Sequence, residues 1–155
     1  MMRRTRGRLA LCATLLCANL AFIWGNSLMN GEASGALSGW VQDVLGFFLP
    51  ISETESGGHL LRKLAHFGEF ACLGALLVWL FSMLGRRGVP RAAFPLLCGF
   101  LTACVDETIQ IFSPGRSPSP VDVGIDTAGV AAGIVLLLLG YCIYRKTQHI
   151  QEETS

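Results

Sequence analysis

Four long runs of apolar residues dominate the chain, and each is close to the length that crosses a membrane. They cover residues 9–29, 64–84, 90–112 and 121–144. The hydrocarbon core of a bilayer is about 30 Å thick, and about 20 consecutive apolar residues in a helix span it. The pattern therefore predicts an all-α membrane protein with four transmembrane helices. Arg145 and Lys146 follow the aromatic end of the last run, as is typical of residues that anchor a helix at the interface.

The connection between the first two runs, residues 30–62, has a weaker helical pattern of its own. Apolar residues recur in it at helical spacing, with polar residues between them: Trp40, Val41, Val44, Leu45 and Phe48. This spacing predicts a short amphipathic helix. Two placements fit the pattern equally well: a helix that lies on the outer membrane surface, and an ordinary loop helix that packs on the bundle.

Composition agrees with the membrane class. Of the 155 residues, 52% are hydrophobic and 15% are charged, whereas a soluble domain has about 25% charged residues. The mean hydropathy is +0.51. Because four spans leave no room for a separate soluble domain, we expect one membrane domain over residues 1–155. The net charge of +1 gives no case for nucleic-acid binding.

Two features of the apolar runs have conventional explanations. All six cysteines lie inside the runs and lack ligand-type spacing, so we expect them to be small core residues without disulfides or a metal. The first run follows a basic N-terminal stretch, as in a signal peptide. It is too long for a signal h-region, however, and we expect it to be a retained helix.

Basic residues are distributed unevenly among the predicted connections. Nine of the 12 precede the first run, lie in the second connection or follow the last run, whereas the opposite side has only Arg62, Lys63 and Arg116. Cytoplasmic connections are enriched in Lys and Arg. We therefore expect both termini to be cytoplasmic, and the first and third connections to lie outside.

Polar residues within the runs fall at one predicted depth. With the orientation assigned, each lies near the outer end of its helix. They are Asn26 and Ser27 in the first run, Lys63, His66 and Glu69 in the second, Asp106, Glu107 and Gln110 in the third, and Asp122 and Asp126 in the fourth. Ionisable groups at membrane depth are costly and usually functional. The pattern therefore predicts a shared polar site near the outer leaflet.

Helical spacing indicates that the polar faces point towards neighbouring helices. On the fourth helix, Asp122 and Asp126 are followed at helical spacing by Gly129 and Gly133. Small residues at this spacing allow the backbones of two helices to approach closely. We therefore expect this face to be packed rather than exposed to lipid. The same two glycines also offer a surface for a homodimer.

The third connection predicts a rigid turn over the polar cluster. Residues 113–120 include three prolines and a glycine, which restrict the backbone. Arg116 lies in this turn, and the arginine fork suits bidentate contact with carboxylates or phosphates. Arg62, by contrast, is expected only to extend towards lipid headgroups.

These motifs, taken in order, resemble the VanZ-like family. They are Lys63-x-x-His66-x-x-Glu69, Asp106-Glu107-x-x-Gln110, Pro114-Gly115-Arg116, Asp122 and Gly129-x-x-x-Gly133, with Asn26-Ser27 at the end of the first helix. The family consists of small bacterial membrane proteins, and its founding member is associated with low-level resistance to the glycopeptide teicoplanin. The resemblance implies a multi-pass protein of the bacterial cytoplasmic membrane. It does not imply a reaction. Asp126 departs from the family, where asparagine is expected in many relatives.

Residue chemistry suggests two sets of roles within the cluster. The candidate catalytic residues are His66, Glu69, Glu107 and Asp106. His66 is the side chain that titrates most easily near neutral pH, and Glu69 or Glu107 would orient it or act as the acid or base itself. The candidate substrate-binding residues are Lys63, Gln110, Arg116, Asp122, Asp126, Asn26 and Ser27.

A divalent cation is one way to neutralise so many carboxylates. Oxygen ligands alone suit Mg²⁺ or Ca²⁺, and the addition of His66 suits Zn²⁺ or Mn²⁺. The alternative is an ion-pair network that fixes the register of the helices. The sequence contains no standard metal motif, so the cofactor stays open.

Three functions are consistent with this pattern. The leading one binds or modifies an amphiphile at the outer leaflet: a phospholipid, a lipid-linked cell-wall precursor or a lipoglycopeptide such as teicoplanin. The second is a non-catalytic binding or shielding protein whose polar cluster is structural. The third is a small transporter, which is less favoured because the cytoplasmic halves of the predicted helices lack ionisable groups and leave a proton path incomplete.

Overall fold

The structure is a computed structural model that describes residues 2–28, 55–116 and 118–153. These residues form four helices: α1 (Met2–Leu28), α2 (Glu55–Met83), α3 (Pro90–Ile111) and α4 (Pro120–Glu153). Each contains a segment long and apolar enough to cross a membrane, namely Thr5–Leu28, Arg62–Met83, Pro90–Ile111 and Pro120–Gln148. The predicted all-helical fold with four candidate membrane spans is thus confirmed. The predicted amphipathic helix in residues 40–48 lies outside the described residues.

Two helices are longer than the apolar runs that predicted them. α2 begins at Glu55 rather than near residue 64, and α4 continues to Glu153 rather than ending near residue 144. Hydropathy identifies only the part of a helix that is apolar enough for lipid, whereas a helix continues for as long as its backbone hydrogen bonds are maintained. Apolar runs therefore do not predict the polar ends of these two helices.

α2 is the central helix of the bundle and contacts the other three. Its most extensive contact is with α4. Glycines make this contact close, because a Cβ atom on Gly129 or Gly133 would overlap the backbone of Phe67 or Ala71, respectively. Gly74 on α2 is equally close to the backbone of Val130. The prediction that the glycine face of α4 is a packed face is therefore confirmed.

The partner of these glycines in the structure is a helix of the same chain. Gly129 and Gly133 are both buried in the contact with α2. A second copy would reach the two glycines only by displacing α2. The homodimer through these residues stays a prediction, and this packing does not favour it.

Apolar side chains divide between a narrow core and an outer surface suited to lipid. Buried residues such as Ile23, Phe70 and Val130 fill the centre, whereas large apolar residues such as Phe22 and Leu136 are exposed. The cysteines divide in the same way. Cys12 is buried, but the exposed ones are Cys17, Cys72 and Cys142. The prediction that the cysteines are core residues is thus wrong for these three, because a four-helix bundle has more outer surface than interior.

We predict that Gly133→Ala destabilises the bundle by about 1–3 kcal/mol, the usual cost of overpacking. The added methyl group would meet the carbonyl oxygen of Ala71 and force α2 and α4 apart. The measurement is thermal or denaturant unfolding of the purified protein in detergent.

Gly140→Ala is the matched control for this substitution. Gly140 lies on the same helix, with no neighbouring atom within 4 Å of an added Cβ. We expect its stability to stay within about 0.5 kcal/mol of wild type. Equal stability of the two variants would contradict the close contact between α2 and α4.

Candidate functional site

The polar residues of the four helices meet at one end of the bundle. The end of α1, the first half of α2, the end of α3 and the start of α4 all contribute to it. Three contacts between helices define this polar cluster: Ser27 with Asp106, Asn26 with Glu69, and Lys63 with Asp122. Residues that are far apart in sequence are thus in contact, as expected for residues that were predicted to lie at one depth.

Asp106 is at the centre of the cluster and is completely buried. Its Oδ1 atom accepts a hydrogen bond of 2.7 Å from the Ser27 hydroxyl, and its Oδ2 atom accepts one of 3.0 Å from Gln110 Nε2. Ser113 Oγ donates to the backbone carbonyl of Ser27 at 2.7 Å. These bonds tie the end of α1 to the end of α3. They also orient the Asp106 carboxylate in an interior that offers no bulk water.

His66 lies beside Asp106 and is only 13% exposed. Its Nδ1 atom is 4.0 Å from Asp106 Oδ2, which is too far for a hydrogen bond but close enough for a strong electrostatic contact. The two glutamates that the sequence suggested as partners of His66 have other contacts. Glu69 Oε1 accepts a hydrogen bond of 2.9 Å from Asn26 Nδ2, and Glu107 Oε2 accepts one of 2.9 Å from the backbone nitrogen of Ser119.

Glu107 therefore holds the start of α4 in place. Ser119 directly precedes the first residue of α4, where backbone N–H groups lack partners within the helix. A carboxylate at this end also interacts favourably with the helix dipole. The Glu107 carboxylate thus joins the end of α3 to the start of α4, next to Asp122 and Asp126.

The two aspartates of α4 have different surroundings. Asp122 is partly exposed, and its Oδ1 atom forms an ion pair of 2.9 Å with Lys63 Nζ. Asp126 is 2% exposed, and its carboxylate has no hydrogen bond or ion pair with any described residue. One carboxylate is thus paired at the rim of the cluster, and the other is unpaired in its interior.

Arg116 extends over the cluster from the connection between α3 and α4. Gly115 has a φ of 74°, a left-handed conformation that suits glycine and turns the chain back before Arg116. Arg116 Nη2 donates a hydrogen bond of 2.7 Å to the backbone carbonyl of Asn26. Burial lowers the pKa of Arg116, and the nearby Arg62 lowers it further. The guanidinium nevertheless stays charged at neutral pH, because its ordinary pKa is so high.

A small cavity opens within the cluster. It is lined by three cations, three carboxylates and three other side chains: Arg62, Lys63 and Arg116; Glu107, Asp122 and Asp126; His66, Gln110 and Ile125. Its volume is about 20 Å³, whereas one water needs about 10–15 Å³. The cavity therefore has room for a water molecule or an ion, but it does not enclose a lipid headgroup.

The predicted site residues divide into two layers around this cavity. Seven line it directly: Lys63, His66, Glu107, Gln110, Arg116, Asp122 and Asp126. The other four, Asn26, Ser27, Glu69 and Asp106, bond to groups of the cluster from behind the lining residues. All eleven thus belong to one connected arrangement.

The sequence did not identify three contributors to the cluster, Ser113, Ser119 and Ile125, and it predicted only a minor role for a fourth, Arg62. Arg62 lines the cavity rather than only extending towards headgroups, and its position beside Lys63 was a usable signal. Ser119 precedes a proline at a helix start, a recognisable capping position. Ser113 and Ile125 had no such signal, because their roles depend on how closely the helix ends approach.

The arrangement combines two chemical properties. Cations around the cavity suit an anionic group that approaches from outside. Three groups deeper in the cluster, His66, Asp106 and Asp126, each offer one potential metal-ligand atom, and these atoms all lie within 4.8 Å of one another. The site can therefore bind an anion at its rim, and a proton or a cation inside.

We predict that Ser27→Ala destabilises the protein by about 1–3 kcal/mol, because it removes the hydrogen bond to a completely buried carboxylate. Thr108→Ala is the control. Thr108 is exposed, and its hydroxyl bonds only to the backbone carbonyl of Cys104 on its own helix, so we expect a change within about 0.5 kcal/mol. Unfolding in detergent measures both. A Ser27→Ala variant as stable as the control would contradict a structural role for this bond.

Comparison with known proteins supports the resemblance that the motifs suggested. The sequence model of the VanZ/LLP1 family matches residues 11–142. The matched segment contains every residue of the polar cluster. No curated protein and no solved structure is significantly similar to the chain. Because the family match covers most of the 155 residues, the chain belongs to the VanZ/LLP1 family of multi-pass membrane proteins.

Proposed function

We propose that this protein binds the anionic headgroup of an amphiphile at the outer leaflet of the bacterial cytoplasmic membrane. The ligand classes are those expected from the sequence: phospholipids, lipid-linked cell-wall precursors and lipoglycopeptides such as teicoplanin. One observation carries the proposal. Arg62 and Lys63 of α2 and Arg116 of the connection between α3 and α4 line the same small cavity at one end of the bundle.

Free hydrogen-bond donors support anion binding at this rim. Arg116 Nη2 donates to the carbonyl of Asn26, and the guanidinium group has further N–H donors that a ligand oxygen could accept from. Lys63 is paired with the partly exposed Asp122, and an exposed ion pair of this kind is weak enough to be exchanged for a ligand phosphate. Arg62 also lines the cavity. A phosphate or carboxylate oxygen at the rim would therefore accept hydrogen bonds from donors that are already in place.

The size of the cavity decides how a headgroup would sit. A volume of about 20 Å³ is too small for a phosphate group with its substituents. The headgroup would therefore lie across the rim, with its acyl chains outside the bundle. Exposed apolar side chains occur near the cluster along the chain, including Leu64 next to Lys63 on α2, Ile111 at the end of α3 and Val121 at the start of α4. They offer a surface for those chains.

A modifying version of this function uses the same site. His66 is the group in the cavity lining best suited to proton transfer near neutral pH. Asp106, 4.0 Å away, would stabilise its charged form. Glu107 lines the cavity but is already bonded to the start of α4. In this version His66 moves the proton, while Arg116 and Lys63 hold the headgroup.

The proposed outer location depends on the orientation of the chain, for which the unequal distribution of Lys and Arg is the argument. We predict that a fluorescent protein fused after residue 155 is fluorescent, because it stays in the cytoplasm. Alkaline phosphatase inserted in the third connection is predicted to be active, because that connection lies outside. The two reporters in exchanged positions are the control. An active phosphatase at the C-terminus would contradict both the orientation and the outer-leaflet site.

We predict that Arg116→Ala weakens binding of phosphatidylglycerol about five-fold, since a basic residue near an anionic surface is worth about 1 kcal/mol. The measurement is native mass spectrometry of the detergent-purified protein titrated with phosphatidylglycerol, with phosphatidylcholine as the lipid without net charge. If the ligand in the cell is a lipoglycopeptide, the same substitution also lowers teicoplanin tolerance in an expressing bacterium.

Two variants control for charge and for folding in this experiment. Arg87→Ala removes an exposed cation at the other end of the helices, far along the chain from the cluster, and is expected to bind like wild type. Arg116→Lys keeps the charge and is expected to recover part of the affinity. If Arg116→Ala retains full affinity for phosphatidylglycerol and full teicoplanin tolerance, the headgroup function is wrong.

A second function is favoured by a different observation. Asp106, Ser27 and Gln110 form a hydrogen-bonded group that joins α1 to α3, as expected of a cluster whose role is structural. The protein would then bind or shield its ligand without chemistry, and substitutions in the cluster would change ligand effects only in proportion to the amount of folded protein. A small transporter is a weaker alternative, because the sequence places no carboxylate or histidine in the cytoplasmic halves of the four apolar runs.

A further inference from the structure

Asp126 poses a problem that the headgroup proposal does not address. It is 2% exposed and lines the cavity, yet no described residue donates a hydrogen bond to its carboxylate or forms an ion pair with it. Buried carboxylates are usually paired, because an isolated buried charge is very costly. Two of the three cations that line the cavity are engaged elsewhere, Lys63 with Asp122 and Arg116 with the carbonyl of Asn26, and the third, Arg62, forms no ion pair with Asp126. Asp126 therefore lacks the partner that its burial calls for.

We infer that His66, Asp106 and Asp126 form a site for a divalent transition-metal cation at the wall of the cavity, which His66 and Asp126 line and behind which Asp106 lies. Each residue offers one ligand atom, and the three atoms lie within 4.8 Å of one another. This inference is independent of headgroup binding at the rim. It explains why an unpaired carboxylate faces a space that holds little more than one water.

The distances are close to those that a metal requires. Ligand atoms about 2.1 Å from a tetrahedral metal lie about 3.4 Å from one another. His66 Nδ1 and Asp106 Oδ2 are 4.0 Å apart, so a small rotation of the side chains closes this pair. The three residues come from α2, α3 and α4. A metal would therefore join the same ends of three helices.

Surrounding hydrogen bonds favour ligation by Asp106. Ser27 donates to one of its carboxylate oxygens and Gln110 to the other, so the carboxylate is oriented before any metal binds. Such contacts to a ligating group are typical of metal sites and raise affinity about 10–100-fold. His66 has no hydrogen bond to a described side chain, so its lone pair is not already in use.

The ligand set indicates which metals would bind. One imidazole nitrogen and two carboxylate oxygens suit Zn²⁺ or Mn²⁺ better than Mg²⁺ or Ca²⁺, which prefer oxygen alone. Three protein ligands leave at least one position open for water or for a ligand oxygen. The cavity lining has three carboxylates and three cations, and the completely buried Asp106 behind it adds a further carboxylate, which favours an added positive charge.

The test is metal binding by the full chain without added lipid. The protein is purified in detergent, stripped with a chelator and titrated calorimetrically with Zn²⁺, Mn²⁺, Mg²⁺ or Ca²⁺ alone. We expect one site per chain for Zn²⁺ or Mn²⁺. Asp126→Asn and His66→Gln should weaken it about 100-fold or more, and Ser27→Ala about 10-fold. Asp122→Asn is the matched control, since it removes the same charge from the same cavity but leaves the three ligands intact, and it should weaken binding less than Ser27→Ala.

If a variant does not fold, a measurement on the wild-type protein still tests the metal site. Pulsed electron paramagnetic resonance of the Mn²⁺-loaded wild-type protein should detect a coordinated imidazole nitrogen. The site is disproved if wild type binds neither Zn²⁺ nor Mn²⁺ saturably, if no nitrogen is coordinated, or if Asp126→Asn binds as tightly as wild type. Phosphatidylglycerol binding of the same preparations is scored separately, because loss of lipid binding with metal binding intact contradicts only the headgroup proposal.

Discussion

The structure depends on the burial of one carboxylate. Asp106 is completely removed from solvent in a bundle whose helices are otherwise apolar, and an unpartnered group there would cost more than most single contacts contribute. It is held because Ser27 and Gln110 donate to its two oxygens. Those bonds fix the end of α1 against α3 and bring His66 to within 4.0 Å. The other polar residues at this end of the bundle are arranged around this centre.

The glycine contact between α2 and α4 makes that arrangement geometrically possible. Gly129 and Gly133 allow the backbone of α4 to lie against Phe67 and Ala71, within about one and a half turns of His66 along α2. At ordinary helix separation, Asp126 would lie further from His66 and Asp106, and the three side chains could not bring their ligand atoms within 4.8 Å of one another. In lipid, where no hydrophobic effect drives helices together, such backbone packing is a main source of association. The close contact between α2 and α4 thus contributes to the stability of the bundle and also determines the geometry of the site.

Charged groups at the rim of the cluster have partners, whereas the carboxylates in its interior are less completely paired. Lys63 and Asp122 form a partly exposed pair, and Arg116 bonds to the end of α1. Deeper in, Asp106 accepts hydrogen bonds from Ser27 and Gln110 and lies 4.0 Å from His66, and Asp126 has no partner among the described residues. A rim of this kind suits an anion, whereas the interior suits a cation. The two proposals therefore concern different parts of one cavity and are not alternatives to each other.

Hydropathy and charge determined the membrane class, the four spans and the common end of the polar residues, because these follow from local composition and from helix direction alone. Helical spacing also predicted the packed glycine face. Only the tertiary structure decided which groups are partners: Glu69 bonds to Asn26, Glu107 to the start of α4, and Asp106 is the carboxylate near His66. Spacing along one helix specifies a face but not the rotation and height of the neighbouring helix. Those follow from how closely the backbones pack, which for this chain depends on a few glycines.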